Sequence, residues 1–301
     1  MSQIKAWIVS LRLRTLPLAL STIFMGSILA AGTGHFNLPV LIWASLTTLF
    51  LQILSNLAND YGDARSGADN DERQGPRRMI QSGQISLKQM KTAIVITSAL
   101  ALVTGSILIL TSLKEDHLLA FIFFIMGISA IAAAIRYTAG KNPYGYRGWG
   151  DLYVFIFFGL LGVGGTFFLH TGTWQWPILL PSAAIGLFST GVLNLNNIRD
   201  IESDRKIGKR TLPVLMGRKK AAFYHFTLLT CGWLLMLVWL IFLAPDHNGW
   251  GTLIALPLFI KNGVAAFQFN RPPSRLDPEL RNLSLGTLLL VLLYGAEFFI
   301  F

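Results

Sequence analysis

Uncharged apolar runs recur along the chain at 16–34, 38–58, 92–113, 118–135, 152–169 and 176–198. Each is close to the ~20 residues that cross a bilayer core of about 30 Å. Three further runs, 221–244, 249–269 and 282–301, complete a set of nine, although Lys261 and Glu297 interrupt the last two. The pattern predicts an all-α polytopic membrane protein with nine transmembrane helices, folded as a single integral-membrane domain over 1–301. The amphipathic start, Met1 to Thr15, leads into a run that is long enough to span and lacks a small-residue cleavage site, so the first helix is expected to be retained.

Composition agrees with the pattern. Only 13% of the 301 residues are charged and 53% are hydrophobic, whereas soluble domains carry roughly a quarter charged residues. The single cysteine, Cys231, excludes an internal disulfide and reads as a packing residue within an apolar run. A net charge of +10 raises the question of nucleic acid, and the location of the cations answers it. With an inside amino terminus and nine spans, 24 of 25 Lys and Arg residues fall on one side, Lys114 being the exception. This is the asymmetry that orients bacterial membrane proteins, aided by anionic headgroups. It predicts a cytoplasmic-membrane protein with its amino terminus and long basic loops in the cytoplasm, Phe301 outside, a lipid bilayer as partner and no nucleic acid.

The outer connectors, such as 32–37 and 114–117, are short and hold turn formers. The inner segments 60–90 and 199–220 are long and rich in Asp, Arg and Lys, the kind of loop that carries function. One constellation, at the end of the second run and the start of the first segment, is Asn56, Asn59, Asp60, Asp63, Arg65 and Asp69; the other, at the end of the sixth run and the start of the second segment, is Asn194, Asn196, Asn197, Asp200, Glu202, Asp204 and Arg205. On a helix, Asn59 and Asp63, or Asp200 and Asp204, share one face. Converging carboxylates repel unless a hard cation lies between them, and oxygen-only ligation suits Mg²⁺ completed by water and phosphate oxygens. Asparagines placed inside an apolar run point to a cavity, because polar side chains there are costly. The alternative is a solvated loop whose acids balance neighbouring arginines. Arg65, Arg73, Arg77, Arg78, Lys206, Lys209 and Arg210 can neutralise phosphate charge, though most are expected to be positive-inside residues only. Arg136, Tyr137 and Lys141, at the inner end of the fourth run, are candidates to touch substrate or, alternatively, to anchor the helix at the headgroups. Asn59–x3–Asp63 and Asn196–x3–Asp200 stand 137 residues apart, which fits a duplicated four-helix unit with an added helix.

The segments LRLRTLPLAL, QILSNLANDYGDARSGAD, RYTAGKNPYGYRGWGD and VLNLNNIRDIESDRKIGKRTL resemble the UbiA superfamily of intramembrane aromatic prenyltransferases, and within it the branch acting on 1,4-dihydroxy-2-naphthoate in menaquinone synthesis. The family's first motif, Asn–Asp–x2–Asp–x3–Asp, matches Asn59, Asp60 and Asp63 but meets Gly67 at its last position, with Asp69 two residues further on. The second motif, Asp–x3–Asp, matches Asp200 and Asp204. The resemblance implies a nine-helix UbiA-like bundle around a lipid-accessible cavity. It implies Mg²⁺ held through the diphosphate of a polyprenyl donor by Asp60, Asp63, Asp69, Asp200 and Asp204, and transfer to dihydroxynaphthoate with decarboxylation. On this reading Asn56, Asn59, Asn197, Arg65, Lys206 and Arg210 help bind the magnesium diphosphate, while Asp63, Asp200, Asp204, Arg136, Tyr137 and Lys141 act on the reacting groups. A 4-hydroxybenzoate prenyltransferase is the nearest alternative. A transporter places its coupling charges near the bilayer midplane rather than at one face, and a CDP-alcohol phosphotransferase carries one aspartate signature rather than two distant ones.

Overall fold

The computed structural model describes residues 2–66, 78–140, 143–243 and 249–300, with side chains described as far as residue 296. The described residues form helices and connectors and include no strand. In chain order the α-helices are α1 (Gln3–Leu11), α2 (Leu16–Gly32), α3 (Leu38–Ser66), α4 (Leu87–Ser112), α5 (His117–Arg136), α6 (Gly150–Val154) and α7 (Thr166–Thr171). They continue with α8 (Leu179–Arg199), α9 (Ile201–Lys206), α10 (Leu212–Met216), α11 (Arg218–Val238), α12 (Leu256–Ala266) and α13 (Leu276–Ile300). Between α6 and α7, Phe155–Gly165 winds as a π-helix, so the three pieces form one continuous rod.

Seven stretches are long and apolar enough to cross a bilayer: Gln3–Gly32, Leu38–Ser66, Leu87–Ser112, His117–Arg136, Gly150–Thr171, Trp176–Arg199 and Arg218–Leu243. The expected count of nine is therefore not reached among the described residues. The eighth run divides into a 3₁₀ segment, Gly249–Ala255, and the 11-residue α12, which carries Lys261. The ninth becomes α13, 25 residues long but opening with Asp277 and Glu279.

Local sequence sets several boundaries. Ser86 and Gln89 close a reciprocal capping box at the start of α4, the Gln89 amide donating to Ser86 Oγ at 3.2 Å and the Ser86 amide to Gln89 Oε1 at 2.8 Å. The Asp116 carboxylate accepts from the Leu119 amide at 2.9 Å and starts α5. No residue of α5 is buried, although it is strongly apolar throughout. Exposed Val95, Val103 and Leu110 on α4 and Phe121 on α5 belong to the same outer surface, which water would penalise and a bilayer accommodates. Cys231, on α11, is also exposed.

The largest buried cluster gathers Met25, Phe167, Ile185, Phe188, Trp233, Phe259 and Tyr294, from α2, α7, α8, α11, α12 and α13. A second joins Ala6, Leu54, Leu57, Met79, Ile85, Met90 and Ile94, from α1, α3, α4 and the segment before α4. Between these groups lies a cavity of about 320 Å³, walled by α2, α3, the end of α5, the α6–α7 rod, α8 and the start of α13.

Candidate active site

Both aspartate motifs open onto this cavity. Because α3 runs unbroken to Ser66, Asn56, Asn59 and Asp63 fall on one face and line the wall. Asp60, one step around the helix, does not line it. It is held instead by two cations: the Arg12 guanidinium contacts its Oδ1, and Arg78 Nε stands 3.3 Å from the same oxygen. Arg78 also reaches Asp63 Oδ2 at 2.6 Å and donates to the Asn59 carbonyl at 2.9 Å, fastening the segment before α4 to the motif. Arg12 is the one non-glycine with positive φ among the described residues, at 50°. That left-handed turn ends α1 and accompanies the contact of its side chain with Asp60. Asn56 is spent on the same joint, its amide donating to the Leu11 carbonyl and to Thr15 Oγ1, each at 3.0 Å.

The second motif straddles a helix break. Arg199 closes α8, Asp200 leaves helical geometry, and Ile201 starts α9. Asp200 is gripped in two-pronged fashion by Arg199, at 2.9 Å and 2.6 Å, and the same guanidinium reaches Asp277 at the start of α13 at 2.5 Å. Asp204 faces Lys209 at 3.4 Å. Lys209 is brought back by a turn at Gly208, whose φ of 74° suits glycine. Burial pushes the Asp204 carboxyl up to about 6; Lys209 opposes the shift, while Asp200 and Asp63 add to it. Lys209 remains firmly cationic, because Asp204, Asp63, Tyr146 and Asp200 outweigh the cost of its burial. Asp63, Asp200, Asp204 and Lys209 all line the one cavity.

The connector after α5 bridges the motifs. Tyr146 donates to Asp63 Oδ1 at 2.7 Å, its ring lies 5.4 Å from Lys209 Nζ, and its carbonyl accepts from the Arg210 amide at 2.9 Å. Thr138 Oγ1 donates to the Ala58 carbonyl and to Asn59 Oδ1, each at 3.1 Å. Gly62 makes that approach feasible, since a Cβ there would lie 2.7 Å from the Thr138 carbonyl. Deeper in, Tyr137, Tyr144, Tyr153 and Phe157 form an aromatic wall: Tyr137 meets Tyr144 edge-on at 5.3 Å, Tyr144 stacks on Tyr153 at 4.0 Å, and Phe157 follows at 6.1 Å. Leu18, Ala19, Leu51, Val154, Phe158, Val192 and Leu193 keep the remainder largely apolar.

The structure brings Asn56, Asn59, Asp63, Tyr137, Asp200 and Asp204 to one cavity. Other expected residues stand apart. Asn197 is buried in α8 away from the cavity, and Arg65, Arg136, Lys206 and Arg210 are exposed and do not line it. Asp69 and Lys141 lie outside the described residues. Among the described interleaved cations, Arg78 and Lys209 are the ones on the wall, joined by Arg12, Arg14 and Arg281; Arg73 and Arg77 lie outside the described residues. Nothing in the spacing of the leader arginines marks them as site residues; only the match of LRLRT to the family carries a signal. Tyr146 is one tyrosine among several in and around YGYRG, and no pattern sets it apart.

The donor set suits a hard cation that arrives with its own oxygens. Asp204 Oδ2 is buried with no hydrogen-bond partner among the described residues, and carboxylate and amide side chains share its cavity. Among the described residues no three His, Cys, Asp or Glu side chains gather tightly enough to hold an ion unaided. Diphosphate and water oxygens would complete the shell.

An apolar chamber inside a helical bundle, closed at one end by two facing sets of carboxylates and cations, defines a membrane enzyme built for a ligand that is part anion and part lipid. Residues 19–293 match the UbiA prenyltransferase family, and the chain belongs to it. It is 43% identical to the 1,4-dihydroxy-2-naphthoate octaprenyltransferase of Haemophilus influenzae, over 97% of this chain and 95% of that protein. It is 42% identical to the protein of the same name from Escherichia coli, over 99% and 96%. The fold matches a UbiA homologue from Aeropyrum pernix with a TM-score of 0.69 at 18% identity, covering 95% of this chain and 97% of that one. A UbiA homologue from Archaeoglobus fulgidus, solved bound to DMAPP and Mg²⁺, superposes with a TM-score of 0.58 at 20% identity, covering 96% and 99%.

Proposed function

We propose that the chain transfers a polyprenyl group from polyprenyl diphosphate to 1,4-dihydroxy-2-naphthoate, with loss of the carboxylate as carbon dioxide. The observation that carries this reading is the meeting of Asp63, Asp200 and Asp204 with Arg78 and Lys209 at the mouth of an apolar, aromatic-walled cavity. The acceptor is supported by relatives at 42–43% identity over nearly the whole chain; their names give an octaprenyl donor. The Mg²⁺ requirement is supported by the buried oxygen donor set and by the DMAPP and Mg²⁺ bound in the Archaeoglobus fulgidus homologue of the same fold.

In this mechanism Asp63, Asp200 and Asp204 would hold the magnesium diphosphate, and the cation would supply neutralising charge to the leaving group of the allylic carbon–oxygen bond. Lys209 and Arg78 supply further positive charge beside the departing oxygens. The aromatic faces of Tyr137, Tyr144 and Tyr153 attract the allylic cation, and the apolar wall keeps water from trapping it. The electron-rich ring then forms the new carbon–carbon bond, and the bond to the carboxylate breaks, releasing carbon dioxide and returning its electron pair to the ring.

The whole chain acts as one integral-membrane domain in the bacterial cytoplasmic membrane. The 24-to-1 distribution of Lys and Arg supports a cytoplasmic amino terminus and a cytoplasmic face for both aspartate segments.

The test is an assay of purified enzyme with octaprenyl diphosphate and either dihydroxynaphthoate or 4-hydroxybenzoate, with product mass as readout. Decarboxylated octaprenyl naphthoquinol formed with Mg²⁺ and lost on chelation is the expected result. A prenylated hydroxybenzoate as the sole product would overturn the acceptor assignment.

A further inference from the structure

A second recess, of about 280 Å³, lies outside the catalytic cavity where the start of α11, the end of α12 and the start of α13 meet. Four cations line it: Arg218, Lys261, Arg271 and Arg275. The one acid on its wall, Glu279, is already engaged, by Lys261 at 3.9 Å and by the amides of Asn282 and Asn262 at 3.4 and 3.5 Å. Arg218, Arg271 and Arg275 make no ion pair with any described carboxylate. Among the described residues, Arg218 Nε is buried without an acceptor, and its Nη2 reaches the Arg271 carbonyl, at 3.5 Å. Three guanidinium groups held together without counter-charge repel one another, so the arrangement suits an anion with several oxygens.

Position narrows the anion. Arg218 is the first residue of a membrane-spanning stretch, which places the recess at headgroup depth. Arg199 ties the start of α13 to Asp200, so the recess lies on the same side of the membrane as the aspartate motifs. Beside it, Phe223 and Phe226 on α11 and Ile260 and Val264 on α12 are exposed, next to Phe269. Phe267 meets Phe223 edge-on at 5.0 Å, and the Arg218 guanidinium lies 6.0 Å from the Phe269 ring. A basic hollow joined to bare aromatic and aliphatic helix faces offers a seat for phosphate and a track for acyl chains at once.

We infer that this recess binds the phosphate headgroup of an anionic phospholipid, with the acyl chains lying along α11 and α12. Leu276, Pro278 and Glu279 of α13 line the recess, while Leu280, Arg281 and Ser284 of the same helix line the catalytic cavity. A lipid seated there braces the helix that separates the two.

The experiment titrates the full-length protein in neutral detergent with dioleoyl phosphatidylglycerol, with dioleoyl phosphatidylcholine, and with inorganic phosphate at equal phosphorus, reading the thermal unfolding midpoint. Phosphatidylglycerol is expected to raise the midpoint in a saturable way that the other two do not match. At about fivefold in affinity per cation near a headgroup, R271Q/R275Q weakens binding on the order of 30-fold and R218Q about fivefold. Arg271 and Arg275 are exposed, so their variant keeps the fold even if R218Q does not. K219Q/K220Q, which removes two exposed lysines just outside the recess, keeps the native affinity. Undiminished binding by R271Q/R275Q, or an equal loss in K219Q/K220Q, would overturn the assignment. An equal shift with inorganic phosphate would also overturn it, by marking a site for the free anion.

Discussion

The two aspartate motifs share the spacing Asn–x3–Asp yet meet different surroundings. In the first, the helix continues through the motif, so neighbouring carboxylates diverge: Asp63 turns to the cavity while Asp60 turns into a clamp between Arg12 and Arg78. In the second, the helix breaks at Asp200, Arg199 clamps it to α13, and Asp204 keeps a buried oxygen without a hydrogen-bond partner among the described residues. Equal spacing therefore does not imply equal work. What separates Asp63 from Asp60 is not neutralisation, since Arg78 reaches both, but the helix face each occupies: Asp63 lines the cavity and Asp60 does not.

The sharpest break in the comparison comes from Asp204→Ala. Its loss removes an unpaired ligand oxygen, so turnover should fall on the order of 10²-fold or more while the folded protein survives; Asp63→Ala should match it. Product formation per folded molecule in verified membranes is the measurement, and near-native turnover in both would remove the shared diphosphate site.

Asp60→Asn tests the other half of the contrast. Leaving Arg12 and part of Arg78 without their carboxylate should cost about 3 kcal/mol of stability, as for other broken buried pairs, with turnover per folded molecule changed by less than about tenfold. Thermal unfolding paired with single-turnover kinetics reads both. A loss of turnover as large as that of Asp204→Ala, with stability retained, would return Asp60 to the metal-binding set.

A smaller effect is expected from Gly62→Ala, because the new Cβ would press on the Thr138 carbonyl at 2.7 Å. Overpacking of this kind costs about 1–3 kcal/mol. It should shift the first motif against the Tyr146 connector, raising the KM for the diphosphate more than it changes affinity for the aromatic acceptor.

Arg136→Ala should do least. Its side chain is exposed at the end of α5 and does not line the cavity, so turnover per folded enzyme is expected to stay within about twofold, with any loss confined to abundance. A parallel fall in kcat and kcat/KM would restore its role beside the substrate.

Much of the fold and half of the site are legible in the order of residues. Long uncharged runs can be satisfied only by helices in a bilayer, because every backbone amide must find its partner within its own segment. Seven of the nine expected spans follow directly from that rule. Periodicity also puts Asn56, Asn59 and Asp63 on one face, and the repeated motif marks Asp200 and Asp204. All of these depend on contacts a few residues apart, which spacing encodes.

The partners of those residues depend on distant parts of the chain, and there spacing carries nothing. Arg12 finds Asp60 across 48 positions, Tyr146 finds Asp63 across 83, and Arg199 finds Asp277 across 78. Which cations close the site, Arg78 and Lys209 rather than Arg65, Lys206 or Arg210, was decided by the turn at Gly208 and the seating of the segment before α4. The eighth run shows the same limit: its apolar content suggested a span, but the chain divides it into a 3₁₀ segment and a short helix packed on α13. The sequence alone determined the solvent and the helices, because both follow from local transfer energies. Only the tertiary structure decided which charges neutralise one another, because that depends on which distant segments the packed bundle holds within a few ångströms.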